Sequence, residues 1–165
     1  MGIRFNADEI LTVAEQIERN GAEFYRKAAE SAAGQSAAEL LLELAAMEDD
    51  HLRVFTDMKH ELTEQDKEPS IFDPAGESEL YLRALASGHV FDVKTPPAER
   101  LRGLKSLEDI LKFAIGIEKD SVVYYTAMKD MVPEHLGRTK MDGVVKEEIK
   151  HIALLAARVD ELNEG

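Results

Sequence analysis

The chain has 165 residues with a formal charge of −13, and it contains no Cys. That length is enough for one domain with its own core, and the missing Cys excludes a disulfide framework, a thiolate metal site and a catalytic thiol. The negative charge repels nucleic-acid phosphates and anionic membrane surfaces but attracts divalent cations, so no nucleic-acid or membrane partner is expected.

The first six residues hold no apolar segment of signal-peptide type, and no run approaches the ~18 apolar residues of a membrane span. A cytoplasmic address is the expectation. Asn6-Ala7-Asp8-Glu9 reads as a capping box and opens a helix over about 7–32. Its apolar positions Ile10, Val13, Ala14, Ile17, Phe24 and Ala28 make one stripe. Gly34 ends it. Ser36-Ala37-Ala38-Glu39 reads as a second capping box, opening a helix over about 37–64 with the stripe Leu40, Leu41, Leu44, Met47, Leu52, Phe55 and Met58.

From 65 to 105 the pattern is broken by Pro69, Pro74, Gly76, Gly88, Pro96 and Pro97. Glu77 to Ser87 predicts a short amphipathic helix inside this stretch, and a further turn is expected after Pro96 and Pro97. A connector of this length suits a crossover running the full height of a bundle, with the helices on either side parallel. Ser106 caps a third long helix over about 106–131, carrying Ile110, Leu111, Ala114, Ile117 and Tyr124-Tyr125. A fourth covers about 138–163 after Pro133 and Gly137. The expectation is a single all-α domain over 1–165: a four-helix bundle with one long crossover containing a short helix.

Glu18, Tyr25, Glu48 and His51 recur as Glu118, Tyr125, Glu148 and His151, each 100 positions later, with Ile10-Leu11, Ala14 and Ile17 matching Ile110-Leu111, Ala114 and Ile117. The chain is thus an internal repeat of a two-helix unit, neither copy able to bury its stripe alone. With 21 Glu and 5 His, a stray Glu-x-x-His is unremarkable. The common offset, the shared spacing from an earlier Glu and that Glu's apolar flank are not.

A Glu and a His three apart lie on one helix face and can reach one metal, leaving the second carboxylate oxygen free to bridge. Glu48 and Glu148 are expected to bridge two ions, His51 and His151 to ligate one each, and Glu18 and Glu118 to be terminal ligands. Four carboxylates balance two divalent cations, and hard oxygen with imidazole suits iron, with manganese as the alternative. Tyr25 and Tyr125 read first as core aromatics with a tied hydroxyl. The sharper reading has each phenol bonding a ligand carboxylate or supplying an electron. His60, His89 and His135 have no partners in the repeat and read as surface residues.

On these motifs the chain resembles rubrerythrin-type proteins of the ferritin-like superfamily, whose metal sites draw a Glu from each of two helices and Glu-x-x-His from each of the other two. The resemblance implies a ferritin-like fold and two iron ions on Glu18, Glu48, His51, Glu118, Glu148 and His151. It also implies hydrogen peroxide or O2 as oxidant and a homodimer, with exchange of helices open to it. Two departures are visible. Rubrerythrins usually carry a rubredoxin domain on four Cys, so an external electron-donor protein is expected. They also carry an extra Glu one turn from the third-helix ligand, where this chain has Ile115 and Ser121. The symmetric four-Glu, two-His set is closer to bacterioferritin or manganese catalase. On the strength of the ligand repeat, a di-iron protein that reacts with hydrogen peroxide or O2, with rubrerythrin-like peroxide reduction, is still the leading expectation. Ferroxidase or iron handling, or a bundle that keeps metal for stability without turnover, are the alternatives.

Overall fold

A computed structural model describes residues 6–68, 80, 84 and 95–165. Among these the chain is all helical, with α1 at Ala7–Ser31, α2 at Gln35–His60, α3 at Pro97–Leu101, α4 at Leu107–Lys129 and α5 at Arg138–Glu164. A single 3-10 turn, Glu134–Leu136, precedes α5. No described helix is long and apolar enough to cross a membrane. The short helix expected at 77–87 lies outside the described residues apart from Leu80 and Ala84, which are both helical. His89 also lies outside them.

Local chemistry sets the helix starts. Asn6 Oδ1 accepts from Glu9 N at 2.8 Å while Glu9 Oε2 accepts from Asn6 N at 3.1 Å, the reciprocal capping box expected from the sequence. Ser106 Oγ accepts from Asp109 N at 3.1 Å and starts α4. Pro96 precedes α3, with Pro97 in its first turn, where its missing N–H costs nothing.

The Ser36 capping box does not form. Gly34, at φ 107°, is the N-cap and makes no side-chain cap bond; its carbonyl accepts from Ala38 N at 3.2 Å. Ser36 therefore sits exposed inside the first turn of α2, too late to cap it. This helix also stops at His60 rather than near 64. Thr63 N and Oγ1 both donate to Asp66 Oδ2, at 2.8 and 2.7 Å, and this local turn replaces the helical ladder. Gly137, at φ 101°, turns the chain between the 3-10 turn and α5.

Two apolar clusters fix the helix directions. One gathers Ile10, Leu11, Ala14 and Ile17 from early α1, Phe55 and Met58 from late α2, Tyr124, Tyr125 and Met128 from late α4, and Met141 and Val144 from early α5. The other gathers Phe24, Tyr25 and Ala28 from late α1, Leu41, Leu44 and Ala45 from early α2, Ile110, Leu111 and Ala114 from early α4, and Leu155 and Val159 from late α5. Hence α1 runs with α5, α2 runs with α4, and the two pairs are antiparallel. The connection from α2 to α4 leaves one end of the bundle and arrives at the other, as its length implied. The helices span roughly 35–40 Å at about 1.5 Å per residue, and the six acidic and histidine positions of the repeat fall near the middle of each. The bundle thus has two apolar halves with a polar layer between them.

Candidate metal centre

That layer is buried. Glu18 and Glu148 are fully enclosed, Glu118, His51 and His151 are 1% exposed and Glu48 is 4% exposed. Taking carboxylates out of water without compensation costs several kcal/mol each, of order 10 kcal/mol for such a cluster. The apolar clusters above and below hold them there regardless, because each of the four long helices contributes buried apolar residues on both sides of the layer.

The donor atoms fall into two groups. Glu18, Glu48, His51 and Glu148 each offer an atom within 4.8 Å of the others, and so do Glu48, Glu118, Glu148 and His151. Glu48 and Glu148 belong to both. All six residues singled out by the repeat are brought together, and the two Glu-x-x-His carboxylates are the shared ones.

Both imidazoles turn Nδ1 inward. His51 Nδ1 stands 3.1 Å from Glu148 Oε1 and 3.6 Å from Glu18 Oε2. His151 Nδ1 stands 3.0 Å from Glu148 Oε2, 3.2 Å from Glu48 Oε1 and 3.6 Å from Glu118 Oε1. The rings stack, with centroids 5.5 Å apart. Four of the enclosed atoms, Glu18 Oε2, Glu48 Oε1, Glu148 Oε2 and His151 Nδ1, have no hydrogen bond of acceptable geometry. Orphaned buried polar atoms call for an explanation, and these converge on the same space. Oxygen and imidazole donors aimed inward, close to one another but without well-formed hydrogen bonds, fit a pair of hard or borderline divalent cations.

The tyrosines cross between the repeats. The Tyr25 hydroxyl donates to Glu118 Oε1, and the Tyr125 hydroxyl donates to Glu18 Oε1. Each phenol is buried and holds the Glu18 or Glu118 carboxylate of the other half, so its hydroxyl is tied across the repeat. Burial and the neighbouring Glu118 charge push the Tyr25 hydroxyl well above its usual range, and burial with Glu18 does the same for Tyr125. Both stay protonated and act as donors.

The electrostatics follow from crowding. Burial, then repulsion from Glu148, raises Glu18. Burial, then Glu18 and Glu118, raises Glu48 well above the carboxylate range. Burial, then Glu48 and Glu118, takes Glu148 up to about 8. Burial by itself would lower both imidazoles, but hydrogen bonds and charge from the surrounding carboxylates override it, taking His51 to about 11 and His151 to about 12. Glu118 goes the other way. Burial alone would raise it, but its bonds to His151, Glu148 and Tyr25 leave it below the usual value. The side chains by themselves thus balance their charge with protons, in the space where cations would do so instead.

Sequence reasoning missed the outer partners of the two histidines and a buried acid, Glu15. Glu147 Oε2 lies 2.7 Å from His51 Nε2, and Met47 Sδ lies 3.1 Å from His151 Nε2. Met47, expected in the core stripe, is 38% exposed. Glu15, 6% exposed, accepts from Thr56 at 2.7 Å and pairs with Lys59 at 3.4 Å, apart from the cluster. Gly21 faces the cluster too: a Cβ there would lie 2.8 Å from Glu48 Oε2. Glu147 is findable in principle, as the acid directly before Glu148, but nothing in one sequence says that it faces a histidine on another helix. His60 and His135 are exposed, as expected.

No family model matches this chain, and no curated protein sequence matches it. A solved structure from Thermotoga maritima, described as that of a ferritin-like diiron-carboxylate protein, superposes with a TM-score of 0.76 at 25% identity, covering 96% of this chain and 97% of that one. The architecture is a ferritin-like helical bundle.

Proposed function

We propose that this chain is a dimetal redox protein that binds two ions through Glu18, Glu48, His51, Glu118, Glu148 and His151. Iron is the favoured metal and manganese the alternative. The observation that carries this reading is the pair of donor groups sharing Glu48 and Glu148, with orphaned atoms facing one another. The likeness to a ferritin-like diiron-carboxylate protein supports iron. Bound iron would supply Fe(II)/Fe(III) cycling toward hydrogen peroxide or O2.

The chain's own residues prepare that chemistry. Tyr25 and Tyr125 orient the terminal carboxylates through hydroxyls that stay protonated. Apolar clusters above and below keep bulk water from the carboxylates, which strengthens their hold on a cation. A recess of about 10 Å³ between α1, α3 and α4 is lined by Ile17, Gly21, Phe24, Pro97, Arg100 and Ile117. It ends at Gly21, whose missing side chain leaves Glu48 next to it. A space of this size accepts about one water-sized molecule.

Within this reading, a rubrerythrin-like reduction of peroxide using an external electron-donor protein, in a homodimer, is the leading form. Ferroxidase or iron-handling activity is favoured by one observation: the set is symmetric, with Ile115 and Ser121 where a seventh carboxylate would stand. The test is metal content after anaerobic Fe(II) loading and desalting, with Glu148→Ala alongside, followed by stopped-flow mixing with hydrogen peroxide. Two retained irons per chain, lost or halved in the variant, and a reaction faster than that of free Fe(II) are expected. A rate no faster than free Fe(II) would overturn the redox reading. Continued oxidation beyond two Fe per chain, in a large shell, would move the assignment to iron storage.

A further inference from the structure

The repeat places positions 47 and 147 in equivalent settings, each directly before a Glu-x-x-His and each against the histidine of the facing helix. The chemistry at the two is different. Glu147 offers a carboxylate oxygen 2.7 Å from His51 Nε2, whereas Met47 offers a thioether 3.1 Å from His151 Nε2. In both cases Nε2 is the outer nitrogen, since Nδ1 of each ring faces the cluster. Other features are shared, since each half has one Tyr-held Glu and the two Glu-x-x-His carboxylates are common to both groups; on the inner side Glu148 approaches both Nδ1 atoms and Glu48 that of His151.

A histidine ligand whose far N–H is bonded to a carboxylate is fixed in tautomer and ring orientation and is a more basic donor at its other nitrogen. Losing such a partner typically weakens metal binding about 10–100-fold. A thioether is only a weak acceptor. We propose that the two metal positions are inequivalent: Glu147 acts as a positioning residue for His51, so the position on Glu18 and His51 fills first and holds its ion, while the one on Glu118 and His151 exchanges. This rests on the dimetal reading above. It makes one resident ion and one labile ion out of a ligand set that looks symmetric.

Both outer residues tolerate change, because the Glu147 side chain is 55% exposed and Met47 is 38% exposed. The probe is Fe(II), titrated anaerobically into metal-free protein in a calorimeter, with Mössbauer spectra at one equivalent of ⁵⁷Fe. The unaltered protein is expected to show two unequal steps and one dominant Fe(II) doublet at one equivalent. Glu147→Gln should weaken the first step about 10–100-fold and give two doublets at one equivalent. Met47→Glu should tighten the second step and leave the first unchanged. His51→Ala should remove the tight step, and His151→Ala the weak one. Two ions bound equally, or steps that Glu147→Gln leaves unmoved, would overturn the inequivalence while leaving the dimetal reading intact. No bound ion in the unaltered protein would overturn both.

Discussion

Gly21→Ala should separate the stability of the bundle from its capacity to hold metal. The added Cβ would lie 2.8 Å from Glu48 Oε2, 3.3 Å from its Cδ and 3.4 Å from its Cγ. The first contact is too close to persist, so the Glu48 carboxylate must move. In metal-free protein that movement is cheap. Alanine improves helix propensity by about 1 kcal/mol over glycine, and an off-rotamer side chain costs about 0.5–1.5 kcal/mol. The two nearly cancel, and the melting temperature of the metal-free variant should stay within about 4 °C of the parent.

With cations on Glu48 the same movement is no longer free. The carboxylate must either leave the metal or press on the new methyl, and overpacking of this kind costs about 1–3 kcal/mol. At about 1.4 kcal/mol per tenfold, Fe(II) binding should weaken by roughly fivefold to 150-fold. The assay is paired: thermal melts of metal-free protein, and anaerobic Fe(II) calorimetry of the same samples. Ser121→Ala is the control, since position 121 is the repeat equivalent and already carries a Cβ, its hydroxyl donating to Ile117 O at 3.1 Å. A Gly21→Ala variant that kept its fold and bound two Fe(II) with unaltered affinity would refute the role of Glu48 as a ligand.

Three further outcomes are expected. Tyr25→Phe and Tyr125→Phe each remove a donor to a buried carboxylate; a bond to a charged group is worth about 1.5–3 kcal/mol, so each should lower the urea midpoint of the metal-loaded form, and two silent variants would show that the phenols hold nothing. The pH dependence of the metal-free protein follows from Glu18, Glu48, Glu148, His51 and His151, all raised on folding. Each adds stability that is complete below its unfolded value, 4.5 for Glu and 6.5 for His, and is lost as pH rises through its folded value, about 8 for Glu148 and about 11 for His51. Urea midpoints should therefore fall between about pH 6 and about pH 9, a rise being the contrary result, and Fe(II) binding near neutrality should release protons from both imidazoles, visible as a buffer-dependent calorimetric enthalpy. Asn6→Ala removes the α1 capping box and should cost about 1 kcal/mol without altering Fe(II) stoichiometry; a change in stoichiometry would mean that the end of α1 and the cluster are coupled.

The long helices and the six acidic and histidine residues could be read from sequence because both depend on patterns within one helix. Ile10, Ala14 and Ile17 announce a buried face by spacing alone, and Glu48 and His51 are forced onto one side of a turn by the geometry of the helix. The repeat then says that a second set exists with the same internal order. Ser36 misled because a capping box is a local motif with a local competitor: Gly34, able to take φ 107°, turned the chain two residues earlier. The end of α2 moved for the same kind of reason, since Thr63 and Asp66 prefer their own turn.

Contacts between the halves were a different matter. The repeat lays each Tyr two turns from the Glu of its own helix, but the fold gives that hydroxyl to the other half, because antiparallel α1 and α4 bring the end of one beside the middle of the other. The same crossing sets Glu147 against His51 and Met47 against His151, so a single departure between the repeats, Met at 47 for Glu at 147, acts on the opposite helix from the one that carries it. In a duplicated bundle, a substitution in one half is therefore read by the ligands of the other. The spacing of the six acidic and histidine residues survives in this chain, and what has diverged includes the outer support on which each histidine rests, Met47 against Glu147, and the small position beside Glu48, Gly21 against Ser121.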